Sequence, residues 1–266
     1  MSILNSFLFP PPPSIFVSAM SMISFTSLTI SGLSEICGRH LRYSKFWDAG
    51  AGRSRGFKQI SSKAGMLFLY SPAMAYAVAS PFVFYGLVDG IRARLVAAAL
   101  AIHFAKRVFE VLFIHQYSGQ MGFDSTISIS LSYFLSTLTT IYAQHLTQNM
   151  PEPAMDFKYA GVLLFLVGIS GNFYHHYLLS KLRVKGEKVY KIPKGGLFEL
   201  VICPHYLFEI IGFIGICLIS QTVYSFSFTF GTIIYLIGRS YVTRHWYLSK
   251  FDDFPKNVKA LIPYVF

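Results

Sequence analysis

Charged residues are scarce in this chain, and their scarcity decides its class. They make up 13% of the 266 residues, against about 25% in ordinary soluble domains. Hydrophobic residues reach 53%, and the mean hydropathy is +0.49. This composition excludes an ordinary soluble domain and predicts an integral membrane protein.

Acidic residues are scarcer than basic ones, at 12 against 23 lysines and arginines, which leaves a net charge of +11. The basic residues cluster in short stretches between apolar segments, as they do when they set membrane topology. They do not alternate with aromatic residues in the way that marks a nucleic-acid surface. We therefore predict no nucleic-acid partner.

Cysteine is also rare, with only Cys37, Cys203 and Cys217 in the chain. Their spacing matches neither a disulfide framework nor a CxxC motif. The sequence also lacks an HExxH motif, histidine boxes of the HxxHH type, a GxSxG elbow and a GxGxxG after a strand. It therefore predicts no metal site, no serine hydrolase and no Rossmann domain.

Long apolar runs fill most of the chain. Seven of them approach the ~20 residues that cross a bilayer as a helix. They cover residues 14–33, 64–88, 94–114, 127–146, 159–179, 197–220 and 222–242. We predict an all-α integral membrane fold, a bundle of seven transmembrane helices in one domain (1–266), with four helices in 1–157 and a C-terminal region in 158–266.

The loops predict an orientation. The stretches after segments one and five and the C-terminal tail are basic, whereas the loop after segment four carries Glu152 and Asp156. With seven spans, the basic stretches share one side, which the positive-inside rule makes cytosolic, so the C-terminus is expected in the cytosol. Arg92 and Arg94 are the exception, because they fall at a lumenal end.

Ionisable side chains inside apolar segments mark the predicted functional site, since they are costly in a membrane. In segment six, Glu199, His205, Tyr206 and Glu209 fall within an arc of about 120° if the segment is one helix. Simple stitching of helices is the alternative interpretation. Four such groups exceed what packing needs.

Segments three, five and seven carry polar residues too. Segment three has a stripe of His103, Lys106, Arg107 and Glu110, in which the Lys106–Glu110 pair alone could be structural. Segment five has Asn172, His176 and Arg183, and segment seven has Arg239 and, beyond it, Tyr247. We expect these stripes to converge near the cytosol in a basic pocket for a polyphosphate cofactor and a lipid-like substrate.

Two neighbouring features are less specific. His175 is expected on an ordinary helix surface, pointing away from the stripe of segment five. The pair Gly195–Gly196 precedes segment six and could offer backbone N–H groups to a phosphate. A simple entry turn is the favoured interpretation of the two glycines taken alone.

Three stretches of the C-terminal half resemble the steroid 5α-reductase family: GNFYHHYLLSKLR, GEKVYKIPKGGLFELVICPHYLFE and HWYLSKFDDFPKNVKALIPYVF. The resemblance covers residues 159–266 well and 103–121 in part. It implies a seven-helix enzyme of the endoplasmic reticulum membrane that reduces a conjugated C=C bond with NADPH.

The resemblance also implies site residues. Carried over by position, the family's cofactor contacts fall on Arg107, Asn172, Arg183, Glu209, Arg239 and Tyr247. His176 and His205 stand where the family has Asp and Asn, and both keep the ability to hydrogen-bond. These eight residues form the predicted NADPH site.

A few positions indicate which branch of the family the chain resembles most. Steroid reductases hold the 3-keto group with a Glu and a Tyr, and the matching residues are Tyr70 and Phe104. HFAKRVFEVLFIHQYSG and CPHYLFE resemble instead the very-long-chain trans-2-enoyl-CoA reductases, which implies Tyr206 and Lys106 as catalytic residues. The main prediction is reduction of a trans-2-enoyl-CoA in fatty-acid elongation, with an elongase complex as partner.

Two alternatives stay open. One keeps the enzyme class and changes the substrate to a 3-oxo-steroid or polyprenoid enone. The other is a catalytically inactive lipid-binding membrane protein, favoured by the changes at Tyr70, Phe104, His176 and His205. NADPH binding separates the second alternative from both enzymes.

Overall fold

The computed structural model describes residues 6–41, 58–182 and 190–266. Seven helices of 17 or more residues dominate these ranges, one for each predicted segment. They are α1 (Ile15–Ile36), α2 (Ser62–Val83), α3 (Gly90–Phe109), α4 (Phe123–His145), α5 (Lys158–Lys181), α6 (Pro204–Ser220) and α7 (Val223–Lys250). Of these, α1, α2 and α5 are each long and apolar enough to cross a membrane. The helical membrane class is confirmed.

Capping residues explain where several helices begin. The side chains of Ser61 and Thr222 accept backbone N–H groups in the first turns of α2 and α7. Asp89 does the same for α3, 2.8 Å from the Gly90 nitrogen. Pro204 occupies the first turn of α6, where a missing N–H costs nothing.

The sixth helix begins later than predicted. Gly196–Glu199 forms a short 3-10 turn instead of the first turn of a helix. The next residues pair with the C-terminal tail, since Lys259 N donates to Leu200 O at 2.8 Å and Cys203 N donates to Ala260 O at 3.2 Å. Those backbone bonds take the place of helical ones, so α6 starts only at Pro204.

This correction removes Glu199 from the polar face of α6. Its carboxylate accepts from Gly195 N at 3.3 Å within the 3-10 turn. His205, Tyr206 and Glu209 remain together on α6.

The third helix ends in a π-helical turn, Glu110–Ile114. Its wider hydrogen bond runs from His115 N to Glu110 O, at 2.7 Å. Single π turns are rare in proteins as a whole, and those that occur are often found at functional sites. Just beyond it, strand β2 (Gln120–Gly122) pairs antiparallel with β1 (Gln59–Ser61) and ties the starts of α2 and α4 together.

The helices α5 and α6 make the most extensive helix–helix contact in the described ranges. A Cβ on Gly168 would lie 2.3 Å from the backbone nitrogen of Gly212, so only glycine permits this approach. A Cβ on Gly171 would meet the Phe208 ring at 2.2 Å. Gly168 and Gly171 thus both serve the packing of α5 against α6.

The exceptional Arg92 of the topology prediction is buried and paired. It is 4% exposed, and its guanidinium donates to Glu152 at 2.9 Å and to Asp156 at 2.7 Å. It also donates to Ile219 O at 2.7 Å and to Gln221 Oε1 at 3.0 Å. Its charge is therefore balanced by the acidic loop at the same end of the bundle.

Candidate active site

A cavity of about 400 Å³ opens where α2 to α7 and the chain after α3 converge. Its polar wall includes Tyr70 from α2, Arg107 from α3, Tyr133 from α4, His176 from α5, three residues of α6 (His205, Tyr206 and Glu209) and Tyr247 from α7. Side chains far apart in sequence thus share one space. Tyrosine hydroxyls supply much of its hydrogen-bonding surface.

Six of the ten predicted site residues line this cavity: Arg107, His176, His205, Tyr206, Glu209 and Tyr247. Lys106 and Asn172 lie behind the wall, around a small adjoining void that Glu209 also lines. The structure therefore brings eight of the ten residues together, in the wall of the cavity or directly behind it.

The other two predicted residues have different outcomes. Arg183 lies outside the described residues. Arg239, buried on α7, pairs with Glu35 of α1 at 3.0 Å, and Glu35 also contacts His40 at 2.6 Å. The pair Arg239–Glu35 thus joins α7 to α1 away from the lining of the 400 Å³ cavity.

Glu110 is the centre of charge at this end of α3, and it is fully buried. Its Oε1 lies 3.1 Å from Lys106 Nζ and 3.0 Å from His176 Nδ1. Its Oε2 lies 3.2 Å from an Arg107 nitrogen and 3.9 Å from His115 Nε2. One carboxylate therefore lies within 4 Å of two cationic side chains and two imidazoles.

Arg107 extends this cluster to the cavity wall. Its guanidinium donates to the Tyr70 hydroxyl at 2.5 Å and lies 4.8 Å from the centre of the Tyr70 ring. A second nitrogen lies 3.2 Å from His176 Nδ1. Tyr70 in turn stacks on Tyr133 at 5.6 Å. Arg107 is therefore oriented on three sides.

Asn172 links α3 to α6 behind the cavity. It accepts a hydrogen bond from Lys106 and donates to His205 O at 2.7 Å. Its amide nitrogen also lies 3.4 Å from Glu209 Oε2. The amide thereby places the first turn of α6 against α3.

The ligand atoms of Glu110, His115 and His176 lie within 4.8 Å of one another, a spacing that could hold a metal ion. The surrounding charge argues against a cation there. Lys106 and Arg107 already contact the two carboxylate oxygens, and a dication would add like-charge repulsion. We interpret the cluster as an ion-pair network.

His175 differs from its prediction as a surface residue, because it is only 3% exposed. Its Nδ1 lies 2.7 Å from Gly171 O, and its Nε2 accepts the backbone N–H of Leu197 at 3.1 Å. Gly196 has a φ of 56°, and a Cβ there would lie 2.8 Å from the same Nε2. The two glycines thus form a turn clamped by His175.

The loop after α3 adds residues that sequence analysis did not select, notably His115 and Tyr117. Burial, followed by the charge of Arg107, lowers the pKa of His115 to about 4. Burial raises the pKa of Tyr117. Both groups are therefore neutral at physiological pH. Both residues lie in the stretch FIHQYSG, which contributed to the family resemblance but was not examined for site residues.

Tyr133 and Lys191 also line the cavity without having been predicted. Tyr133 lies on α4, whose serine and threonine residues show no ionisable stripe. Lys191 lies in the chain between α5 and α6, where many lysines looked equivalent. Only the folded arrangement distinguishes these two from their neighbours.

A family model described as 3-oxo-5-alpha-steroid 4-dehydrogenase matches residues 124–266, which is more than half of the chain. The matched region runs from the start of α4 to the C-terminus. It contains Asn172, His176, His205, Tyr206 and Glu209. Arg107 and Tyr70 precede it.

Named relatives agree with this match. The chain is 38% identical over 130 residues to rat 3-oxo-5-alpha-steroid 4-dehydrogenase 2, covering 48% of the chain and 51% of the relative. It is 44% identical over 108 residues to Steroid 5-alpha-reductase DET2 of Gossypium hirsutum, covering 40% and 42%. With 3-oxo-5-alpha-steroid 4-dehydrogenase 1 of Macaca fascicularis it is 32% identical over 174 residues, covering 65% and 66%. In the first two alignments the chain spans about half of the relative's length or less.

Proposed function

The chain belongs to the 3-oxo-5-alpha-steroid 4-dehydrogenase family, and from this premise we propose that it is a membrane oxidoreductase. In this proposal it uses NADPH to reduce a C=C bond conjugated to a carbonyl group in a steroid-like lipid. The enzyme class follows the sequence prediction, while the substrate follows its alternative.

One observation carries the proposal: six predicted residues from α3, α5, α6 and α7 line a single cavity. The lining fits a dinucleotide. Lys191 would hold a phosphate oxygen, for which an ammonium group is suited, and Arg107 would contact the cofactor at the end that faces Tyr70. His205 and Glu209 would accept or donate hydrogen bonds to the sugar and amide groups. NADPH, when bound, supplies the hydride.

The substrate preference moves from an acyl thioester to a cyclic ketone. The relatives described above are named for 3-oxo-steroids, which favours an enone on a steroid-like skeleton. The trans-2-enoyl-CoA substrate, and with it a fatty-acid elongase partner, becomes the second candidate. It is retained because Tyr206, the residue that motivated it, lines the cavity.

Tyr70 stands where steroid reductases have a keto-binding Glu, and its hydroxyl would take over that role. Its hydroxyl accepts a hydrogen bond from Arg107 at 2.5 Å. A phenol bonded to a guanidinium is polarised and becomes a stronger donor to a substrate carbonyl. Enolate charge that develops on that oxygen would be stabilised by Tyr70 and the nearby Arg107.

Tyr206 is the proposed proton donor, at the first turn of α6 with its ring 4.3 Å from that of His205. Lys106, the other residue predicted to be catalytic, contacts Glu110 and Asn172. We therefore propose that Lys106 acts through these neighbours. Its position behind the wall argues against direct contact with the substrate.

The membrane arrangement is part of the proposal. We propose seven spanning helices, residence in the endoplasmic reticulum and a cytosolic C-terminus. This orientation places the basic stretches of the sequence on the cytosolic side. Glycosylation acceptor sites introduced before α1 and after α7 test this arrangement. Modification of the acceptor after α7 in microsomes would contradict a cytosolic C-terminus.

Purified protein in detergent provides the test of function. NADPH should raise the melting temperature in a concentration-dependent way, and a 3-oxo-Δ4-steroid should drive NADPH oxidation. Turnover of a trans-2-enoyl-CoA instead would select the second candidate. If NADPH neither raises the melting temperature nor is oxidised with either substrate, the remaining candidate is the inactive lipid-binding protein.

The variant Tyr206→Phe tests the proton donor. It should lower turnover by about 100-fold, as expected for loss of a general acid, while the NADPH-induced rise in melting temperature persists. Unchanged turnover would remove Tyr206 from the mechanism.

A further inference from the structure

Glu110 stands out among the buried charges because four basic or imidazole side chains surround one carboxylate. Its sequence neighbourhood suggested only an i,i+4 pair with Lys106. The structure shows contacts to α5 and to the loop after the π turn as well. Resting on the proposed function, we infer that Glu110 is the positioning residue that sets Arg107 and His176 in the cavity wall.

Geometry supports this role first. Glu110 is 0% exposed and sits at the first position of the π turn. Its two oxygens divide their partners, with Lys106 and His176 on Oε1 and Arg107 on Oε2. A buried carboxylate that makes all these contacts has little freedom to move.

Charge supports it next. Lys106 and Arg107 are adjacent cations in a mostly buried setting, at 10% and 15% side-chain exposure. Without an anion between them, their repulsion would move one of the two side chains. Arg107 borders the open cavity, so it is the one with room to move.

The consequence for the reaction is loss of alignment. Arg107 contacts Tyr70, the proposed carbonyl donor, and His176, another wall residue. A displacement of about 1 Å in such a group can reduce turnover by about 100-fold. Glu110 itself does not line the cavity, so it acts through Arg107 and His176.

The principal test is Glu110→Gln, which keeps the shape and removes the charge. We expect kcat to fall by about 100-fold, with the KM for NADPH changed by less than about tenfold. Glu110→Asp keeps the charge and should be intermediate, with kcat reduced by about tenfold. A kcat within about threefold of the wild type in Glu110→Gln would overturn the inference.

The matched control is Glu152→Gln, which removes a carboxylate from the buried Arg92 at the other end of α3. It should lower the melting temperature while kcat stays within about twofold of the wild type. Equal losses of kcat in the two variants would mean that Glu110 contributes only to stability, and would overturn the positioning role.

A measurement without substrate separates this inference from the proposed function. Melting temperatures of Glu110→Gln, Arg107→Met and the double variant form a cycle. A double variant less destabilised than the sum of the single variants supports the coupling of Glu110 to Arg107. Additive shifts overturn it, whether or not the protein turns over NADPH. If Glu110→Gln does not fold, the same cycle with Glu110→Asp decides.

Discussion

The two ends of α3 each carry a buried arginine network, and they differ in what surrounds the arginine. Arg92 donates to two carboxylates in the loop after α4, and to a carbonyl and an amide at the end of α6. Arg107 shares one fully buried carboxylate with Lys106 and reaches a tyrosine hydroxyl in the cavity wall. The first is a closed junction of mutually paired groups, whereas the second borders an open cavity.

The difference separates a structural charge from a functional one. At the Arg92 end, partly exposed Glu152 and Asp156 neutralise the guanidinium. Burial raises the pKa of Asp156, but its bonds with Lys158 and the charge of Arg92 outweigh this and lower it to about 2. At the Arg107 end the network borders the open cavity, where Arg107, Lys191 and Glu209 all line the space that a ligand would occupy. An ionisable residue in an apolar helix therefore needs its partners before its role can be assigned.

The largest expected effect is that of Arg107→Met. Loss of one partner in a buried charge network costs about 2–5 kcal/mol, which, if expressed fully in the transition state, lowers kcat/KM by about 30- to 5,000-fold. The NADPH-induced rise in melting temperature should shrink as well. Steady-state kinetics and thermal melting measure both effects, and wild-type behaviour in both would make the two ends of α3 equivalent.

Arg92→Met should show the opposite pattern. Ile219 O would lose a buried donor, at a cost of about 1–3 kcal/mol for an unsatisfied group, whereas Gln221 Oε1 would keep the N–H of Phe157 at 2.9 Å. The free energy of unfolding should therefore fall while the NADPH dissociation constant stays within about twofold. A large loss of NADPH affinity in a folded Arg92→Met protein would contradict the structural assignment of this end.

Tyr70→Phe sharpens the contrast within the cavity. It removes only the hydroxyl that Arg107 contacts and keeps the ring that stacks on Tyr133. Loss of one hydrogen bond to a developing charge should reduce kcat/KM for a 3-oxo-steroid by about 10- to 100-fold. NADPH affinity should stay close to that of the wild type. Tyr133→Phe, on the neighbouring ring, is the comparison variant, and equal losses in both would not single out Tyr70.

The smallest effect is a pH dependence that His115 gives to the cavity end. The pKa of His115 is about 4 in the folded protein, against 6.5 ordinarily. The unfolded chain therefore binds more protons between these values, and stability should fall as pH drops from 6.5 towards 4 and level off below. His115→Gln should flatten that part of the melting-temperature profile. An unchanged profile would show that another group titrates there.

Sequence analysis located the helices well and their faces less well. All seven apolar segments correspond to helices. The length of each segment can be read directly from the sequence as the length of its hydrophobic run. The predicted arc on segment six included Glu199, which the 3-10 turn before Pro204 removes from α6. A rotation of 100° per residue makes any face prediction sensitive to where a helix begins.

Arg239 and His175 illustrate the same limit through their partners. The family resemblance placed Arg239 in the cofactor site, and its spacing placed His175 on a helix surface. In the fold, Arg239 pairs with Glu35 of α1, and His175 accepts the N–H of Leu197. Those partners lie 204 and 22 positions away in sequence, so no local pattern could have named them.

Membrane class, helix number and the pool of polar residues follow from composition and apolar run length, because a bilayer penalises each charge and sets each span independently of the neighbours. Which of those polar residues meet, and which neutralise one another, follows from the folded arrangement. Helix rotation, the π turn at Glu110 and the glycine contacts between α5 and α6 bring distant side chains within 3 Å or so, and bonds at that range depend on all of the helices at once.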